Sequence, residues 1–229
     1  MLRTPVFLVI LFAILGLNVE GYILRNIKPQ ISVSQLALFP SWLKQSSTSK
    51  DREVERSSNK AKIIELAANT ENGIAAKPEI KDKIAELVKS LESLNPTKKT
   101  SDSPLLNGTW SLVYTTNEGS SAGKVGPFVG KVVQEIDYKK AFYTNNVKLF
   151  NGAVEATLGA TWDVKGPNLW TVKFLNIKFT LFSIVVSSKS LEGTTGTWRT
   201  TYLDDNFRIL YAIGGKNTVK ENVYILAKF

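Results

Sequence analysis

The chain has 229 residues, 43% of them apolar, enough for one sizeable core in one domain once targeting sequence is set aside. It has no Cys and no His, which excludes disulfides, thiol nucleophiles, thiolate or imidazole metal sites and the usual Ser-His-Asp triad. The net charge of +9 lies partly near the N-terminus; from Asn107 onward Lys is interspersed with Asp and Glu, which reads as a solvated surface and not as a nucleic-acid footprint.

Residues 1–21 have the layout of a secretory signal peptide. Arg3 precedes an apolar run from Val6 to Leu17, and Val19 and Gly21 suit a cleavage site after Gly21. The run is short of the ~20 apolar residues that a membrane-spanning helix needs. Residues 22–50 keep Arg25, Lys28, Lys44, Lys50 and many hydroxyl side chains while avoiding acid, the composition of an organellar transit peptide. A signal peptide followed by such a stretch resembles the bipartite leaders of proteins sent to plastids enclosed by extra membranes, with Tyr22 where those leaders generally have Phe. The alternative is a secreted protein with a disordered linker.

A helical region is expected over residues 57–96. Ala61, Ile63, Ile64, Ala67 and Ala68 keep near-helical spacing until Asn72-Gly73 stops them. Pro78 opens a second helix, in which Ile80, Ile84, Leu87, Val88, Leu91 and Leu94 form one apolar stripe, and Asn95-Pro96 ends it. Such a stripe is expected to cover one opening of its own domain; a partner-binding surface is the other use for it.

The stretch Asn107–Thr116 changes the pattern. Gly108, suited to a positive φ, leads into Trp110–Thr116, rich in aromatic and β-branched residues. The loop Asn117–Pro127 carries Gly119, Gly123 and Gly126 without the Lys-Ser/Thr ending of a phosphate-binding loop, and reads as a flap. Strands are then expected over Phe128–Tyr138, Ala141–Phe150, Ala153–Val164, Leu169–Phe182, Ile184–Ser188, Thr195–Leu203, Phe207–Ile213 and Glu221–Phe229. Turn chemistry separates them at Asn151-Gly152, Gly166-Pro167-Asn168, Asp204-Asp205-Asn206 and Gly214-Gly215. About eight or nine antiparallel strands with short connections point to an up-and-down β-barrel filling residues 105–229, with a sandwich as second choice.

Alternation puts Trp110, Leu112 and Tyr114 on one face, Trp170, Val172 and Phe174 on another, and Phe207, Ile209, Tyr211 and Ile213 opposite Arg208. A barrel of about eight strands has an interior just wide enough for side chains or one small ligand. Any one aromatic residue can simply pack the core. Taken as a set, Trp110, Tyr114, Phe142, Trp162, Trp170, Phe174, Trp198 and Tyr202 suggest an apolar cavity. With Tyr211, and without Trp198, these are the candidate ligand-binding residues; Tyr114, Thr116, Asn145 and Lys148 are candidates for orienting a ligand at the mouth. Exposed Lys residues and Ile177–Val186, with Phe179, Leu181, Phe182, Ile184 and Val185, are candidates for meeting an anionic membrane surface.

The run Leu105–Thr116 resembles the opening of the plastid lipid-associated protein family, the fibrillins. Further likenesses follow in order: Leu91–Pro96, Gln134–Asp137 with Asn145-Asn146-Val147, Thr201–Ile209, and Val223–Phe229. Where the family usually has Arg-Gly after the Arg-Ile pair, this chain has Leu210-Tyr211. The resemblance implies a lipocalin-like barrel that takes hydrophobic plastid molecules such as prenylquinones, carotenoids, fatty acids or lipids. It implies association with thylakoids or lipid droplets, with no catalysis, no cofactor and no metal. By likeness to lipocalins, Gly108 and Arg208 are structural, with Arg208 stacked on Trp110.

Two other readings remain. An enzyme would use the carboxylate pair Asp204-Asp205, although an Asp-Asp-Asn run is ordinarily a turn. A scaffold would dock a lipid- or quinone-metabolising enzyme through the helical region.

Overall fold

The computed structural model describes residues 41–214 and 220–229. Contacts divide the chain into one unit ending at Ser47 and another from Thr48 to Phe229, and the architecture below is that of the second. The expected signal peptide, much of the transit-like segment and part of the Gly214-Gly215 turn lie outside the described residues.

Two helices come first, α1 (Ser41–Ala67) and α2 (Pro78–Ser93). Helix α1 starts well before the expected Ser57, because residues 41–56 are mostly polar or charged, with only Trp42, Leu43 and Val54 apolar and no apolar stripe to announce the helix. In α2, Pro78 sits in the first turn and Ile84, Val88 and Leu91 are buried. Together with Ile63 and Ala67 of α1 they pack on Tyr202, Phe207, Ile209 and Ile225. The helices therefore cover a side wall of the sheet, and not an opening as expected. Gly73 makes the turn between them possible: its φ is +104°, and a Cβ there would lie 2.3 Å from the Thr115 carbonyl oxygen.

The strands are β1 (Gly108–Thr115), β2 (Lys124–Val125), β3 (Phe128–Val129), β4 (Lys131–Asp137), β5 (Phe142–Leu149) and β6 (Val154–Gly166). They continue with β7 (Leu169–Leu181), β8 (Ile184–Ser190), β9 (Thr195–Leu203), β10 (Phe207–Gly214) and β11 (Asn222–Ala227). Eight of them close in the order β1-β4-β5-β6-β7-β9-β10-β11, with β11 returning to β1 and every pairing antiparallel. This is the up-and-down barrel that the turn spacing predicts; the sandwich is not formed. Strand β8 is the extra one. It runs along the second half of β7 (Asn176↔Ser190 to Leu181↔Ile184), while β9 takes the first half (Leu169↔Arg199 to Lys173↔Thr195).

One end of the barrel is closed by the connector after α2. Trp110 Nε1 donates to the Leu106 carbonyl and Trp170 Nε1 to the Ser101 carbonyl, each at 2.8 Å. Thr100 Oγ1 donates to the Thr200 carbonyl at 2.7 Å, and Lys228 Nζ donates to the carbonyls of Leu105 and Asn107. The loop expected as a flap is pinned at the other end: Asn72 Nδ2 donates to the carbonyls of Ala122 and Gly130.

The Asp204-Asp205-Asn206 turn ties α1 to the barrel. The Asp204 carboxylate accepts from Lys60 Nζ at 2.7 Å, Tyr202 OH at 2.6 Å, and the backbone N–H groups of Asn206 and Phe207. Burial pushes its pKa up, but the Lys60, Tyr202 and Asn206 hydrogen bonds outweigh that and hold it below the ordinary 3.8. Replacing Asp204 with Asn should cost about 1–3 kcal/mol of stability at neutral pH, seen as a fall of several degrees in Tm. A depressed folded pKa stabilises above the unfolded value and loses that contribution as pH falls through the folded value. The melting gap between Asp204→Asn and the parent should therefore close below about pH 4.

Candidate functional site

The interior begins at the closed end with Trp110, which is fully buried. The Arg208 guanidinium carbon lies 5.1 Å from its ring centroid, and Lys228 Nζ lies 4.4 Å from it. Around this indole, Trp162 stacks on Trp170 at 4.3 Å, and Tyr143 stands 4.9 Å from Trp198. These rings, with Leu203, Leu210 and Leu226, fill the lower barrel. Gly108, at φ +112°, turns the chain into β1 beside Lys228.

Of the eight predicted ligand-binding residues, Trp110, Trp162, Trp170 and Phe174 belong to this interior cluster. Tyr114, Tyr202 and Tyr211 belong instead to the cluster under the helices, on the outer face. Two bulges explain two of these placements. On β1 the register shifts between Leu112 and Tyr114, so Trp110 and Leu112 point in while Tyr114, opposite Ile225, points out. On β9 it shifts between Thr200 and Tyr202, and Tyr202 turns out in the same way. Tyr211 follows simple alternation from the inward Arg208, and Arg199 covers its ring at 4.5 Å. Phe142 precedes the inward Tyr143 on β5 and so lies on the outer face.

Cross-strand partners share a face, which locates the rest of the wall. Gln134, Asn145, Leu158 and Ile177 form one inward row next to Trp110, and Val132, Val147, Ala156 and Phe179 the next. Leu149, Val154, Leu181 and Ile184 form a third, which runs off the barrel onto β8. Towards the open end the inward wall is half-buried at Leu112, Asn145, Val147, Leu158, Phe174, Ala212 and Tyr224, and this partly accessible stretch above the packed rings is the cup. Of the other orienting candidates, Thr116 bonds Asn222 and Val223, and Lys148 pairs with Glu155 on the outer face.

Beyond the cup, apolar side chains meet water. Phe182 is 74% exposed, Ile184 68% and Phe150 60%; Phe128, Leu181, Val185 and Val186 are exposed as well. They form one rim. Phe128 and Phe150 meet edge to face at 5.1 Å, and Phe182 N–H donates to the Ala153 carbonyl at 2.8 Å, joining the β7–β8 turn to the β5–β6 loop. The sequence pattern singles out Phe179, Leu181, Phe182, Ile184 and Val185, whereas Phe128 and Phe150 fall at the ends of expected strands. The helical stripe, by contrast, is spent on the barrel wall, and the groove of about 490 Å³ between α1 and α2 is lined by Lys62, Glu65, Lys83 and Glu86 along with Leu66 and Leu87.

Among the described residues, buried side-chain atoms without a partner belong to Glu92 on α2 and, inside the barrel, to Arg208 and Tyr143. Arg208 is fully buried and its Nη2 donates to Gln134 Oε1, while its Nε and Nη1 have no partner. The Tyr143 hydroxyl is likewise buried without a partner. Burial draws the Arg208 pKa down to about 9 and pushes Tyr143 well up.

The family profile PAP_fibrillin matches residues 57–220, from the middle of α1 through α2 and all but the last strand. The chain belongs to that family. It is 28% identical over 162 residues to probable plastid-lipid-associated protein 5, chloroplastic, of Arabidopsis thaliana, covering 68% of this chain and 65% of that protein. It is 33% identical over 125 residues to plastid lipid-associated protein 2, chloroplastic, of Brassica campestris, covering 50% of this chain and 39% of the relative. Chromoplast-specific carotenoid-associated protein C1 of an Oncidium hybrid cultivar is 26% identical over 228 residues, covering 74% and 68%. The chain thus spans less than two-thirds of the first two relatives.

The unpartnered phenol gives a direct test of the interior. A buried hydroxyl with no partner carries its desolvation cost uncompensated, so Tyr143→Phe should leave the Tm of the purified, delipidated protein unchanged or raise it, by up to about 1–3 kcal/mol in stability. A Tm several degrees lower would show that the hydroxyl is bonded in solution.

Proposed function

We propose that this chain is a non-catalytic, lipid-associated protein of the plastid that rests on a lipid surface by its apolar rim and holds a hydrophobic molecule in the cup behind it. The observation that carries the reading is the rim itself. Phe128, Phe150, Leu181, Phe182, Ile184, Val185 and Val186 cluster at the open end, and solvent-exposed apolar patches of this kind mark lipid or protein contacts. Rows of inward apolar side chains run without a break from the rim to the cup, so a guest could pass from lipid to barrel without crossing water. Among the described residues no helix is long and apolar enough to cross a membrane, and the attachment proposed is peripheral. The names of the relatives, plastid lipid-associated and carotenoid-associated, support the same reading, with thylakoids or plastoglobules as the surface and prenylquinones, carotenoids or lipids as candidate guests. The plastid destination rests on those names and on the signal-plus-transit composition of residues 1–50.

Burying one large apolar side chain in lipid gains about 1.5–3 kcal/mol. A Phe182→Asp, Ile184→Asp double variant should therefore lose on the order of a hundredfold or more in partition to phosphatidylcholine–phosphatidylglycerol vesicles in a flotation assay, with its Tm unchanged. Full flotation of that variant would refute the rim as the contact. Mass spectrometry of solvent extracts from the natively purified protein tests the cup, which should yield a stoichiometric apolar molecule.

A further inference from the structure

The floor of the barrel carries a signal that the lipid role does not use. Asn107-Gly108-Thr109 has the Asn-x-Ser/Thr spacing of an N-glycosylation acceptor. Asn95-Pro96-Thr97 shares that spacing but has the disqualifying Pro in the middle, and no other Asn in the chain is followed two residues on by Ser or Thr. So short a motif carries weight only through its context, which is an exposed Asn on a chain that enters the secretory system. The charged start and apolar run of residues 1–21 have the composition for the second condition. The fold meets the first.

Asn107 follows the short helical turn Pro104–Leu106, immediately before β1, and is exposed. Its Oδ1 accepts from the Tyr138 backbone N–H at 3.0 Å, and its backbone carbonyl accepts from Lys228 Nζ at 2.9 Å. Its Nδ2 has no hydrogen-bond partner among the described residues. A glycosylated Asn keeps its side-chain carbonyl and one of its two N–H groups. Both bonds that anchor Asn107 therefore survive the modification, and the atom altered is the one that the fold leaves free. Thr109, whose hydroxyl completes the motif, is exposed as well; it lies opposite Glu135 on the outward face of β1, alternating with the buried Trp110. Tyr138 in the β4–β5 turn and Lys228 mark this as the closed end, so a sugar chain on Asn107 would stand in water away from the apolar rim.

We propose that Asn107 is N-glycosylated as the chain passes through the endoplasmic reticulum. The side-chain nitrogen attacks the anomeric carbon of an oligosaccharide carried on a lipid diphosphate. The new C–N bond forms as the C–O bond to the diphosphate breaks, the lipid diphosphate leaves, and the nitrogen gives up one proton. The cell's oligosaccharide-transfer enzyme and its lipid-linked donor supply the chemistry; the barrel supplies only the acceptor. The site rests on the reading of residues 1–21 as a secretory signal and is independent of the lipid role of the rim. It is expected whether the chain goes on to a plastid or is secreted. Being bulky and hydrophilic, the glycan keeps the closed end in water and leaves the rim as the end fit for lipid.

The test translates the full-length chain in vitro with endoplasmic-reticulum microsomes, adds protease to mark the translocated fraction, and compares apparent mass before and after peptide-N-glycosidase. The protected parent should run as one heavier species that the glycosidase returns to the unmodified mass. Asn107→Gln and Thr109→Ala should each abolish the heavier species, and Thr109→Ser should retain it. Thr109→Ala leaves Asn107 and its bond to Tyr138 in place, so its loss of the shift reads the acceptor signal and not the fold. A protected chain of unmodified mass would overturn the glycosylation and leave the signal peptide standing. A chain that stays open to protease would overturn both. A heavier species that persists in Asn107→Gln would refute Asn107 as the site.

Discussion

The barrel depends on one buried indole with two cations close to its ring. Trp110 plugs the closed end, hydrogen-bonded to the connector at Leu106, with Arg208 and Lys228 near its ring. Lys228 bonds two carbonyls of the connector and so joins the last residues of the chain to the approach to β1. Because β11 also pairs with β1, the closing seam of the barrel and its floor are held by the same few residues. Each cation–π contact is worth roughly 0.5–2 kcal/mol. Their larger effect is on geometry, since they fix where the first strand starts and therefore which side chains face in.

A closed sheet must sort every side chain to one of two sides, and here both sides are apolar. The inner side takes the Trp and Tyr stack, while the outer side of β1, β9, β10 and β11 takes the helices. The stripe on α2 is thereby used up. The apolar surface that remains in water lies at the opposite end from the floor, where β6, β7 and β8 run past the rest of the wall. The contacts that close the barrel thus gather at one end and the exposed apolar surface at the other. The pinned loop at Asn72 and the carboxylate hub at Asp204 hold the helices on the wall between them.

Much of this could be read from the residues in order. Turn chemistry at Asn151-Gly152, Pro167-Asn168 and Asp204–Asn206 set strand limits within a residue or two for most of the barrel, and Thr195–Leu203 matches β9 at both ends. The alternation Trp170, Val172, Phe174 places three residues on one face, which is the inner one, and the expected strand Ile177–Val186, a candidate for meeting a membrane, is left with Phe179, Leu181, Phe182, Ile184 and Val185 exposed. Periodicity failed at the β-bulges. One extra residue near Val113 and another at Thr201 reverse the faces beyond them, and nothing in the local residue types marks either position.

The residues alone determined the class of architecture, because strand length, turn type and the helical stripe are local properties that short-range sterics impose. They also ruled out thiol and imidazole chemistry, which no folding can supply. Only the tertiary structure decided which aromatic rings face in, that the helices lie on a wall and leave the floor to a connector, and that Phe128 and Phe150 join Phe182 in one rim. It likewise set Arg208 beside Gln134, at 74 residues' separation, with two of its nitrogens unmet. Contacts of that kind depend on how the sheet closes on itself, and closure is a property of all the strands together.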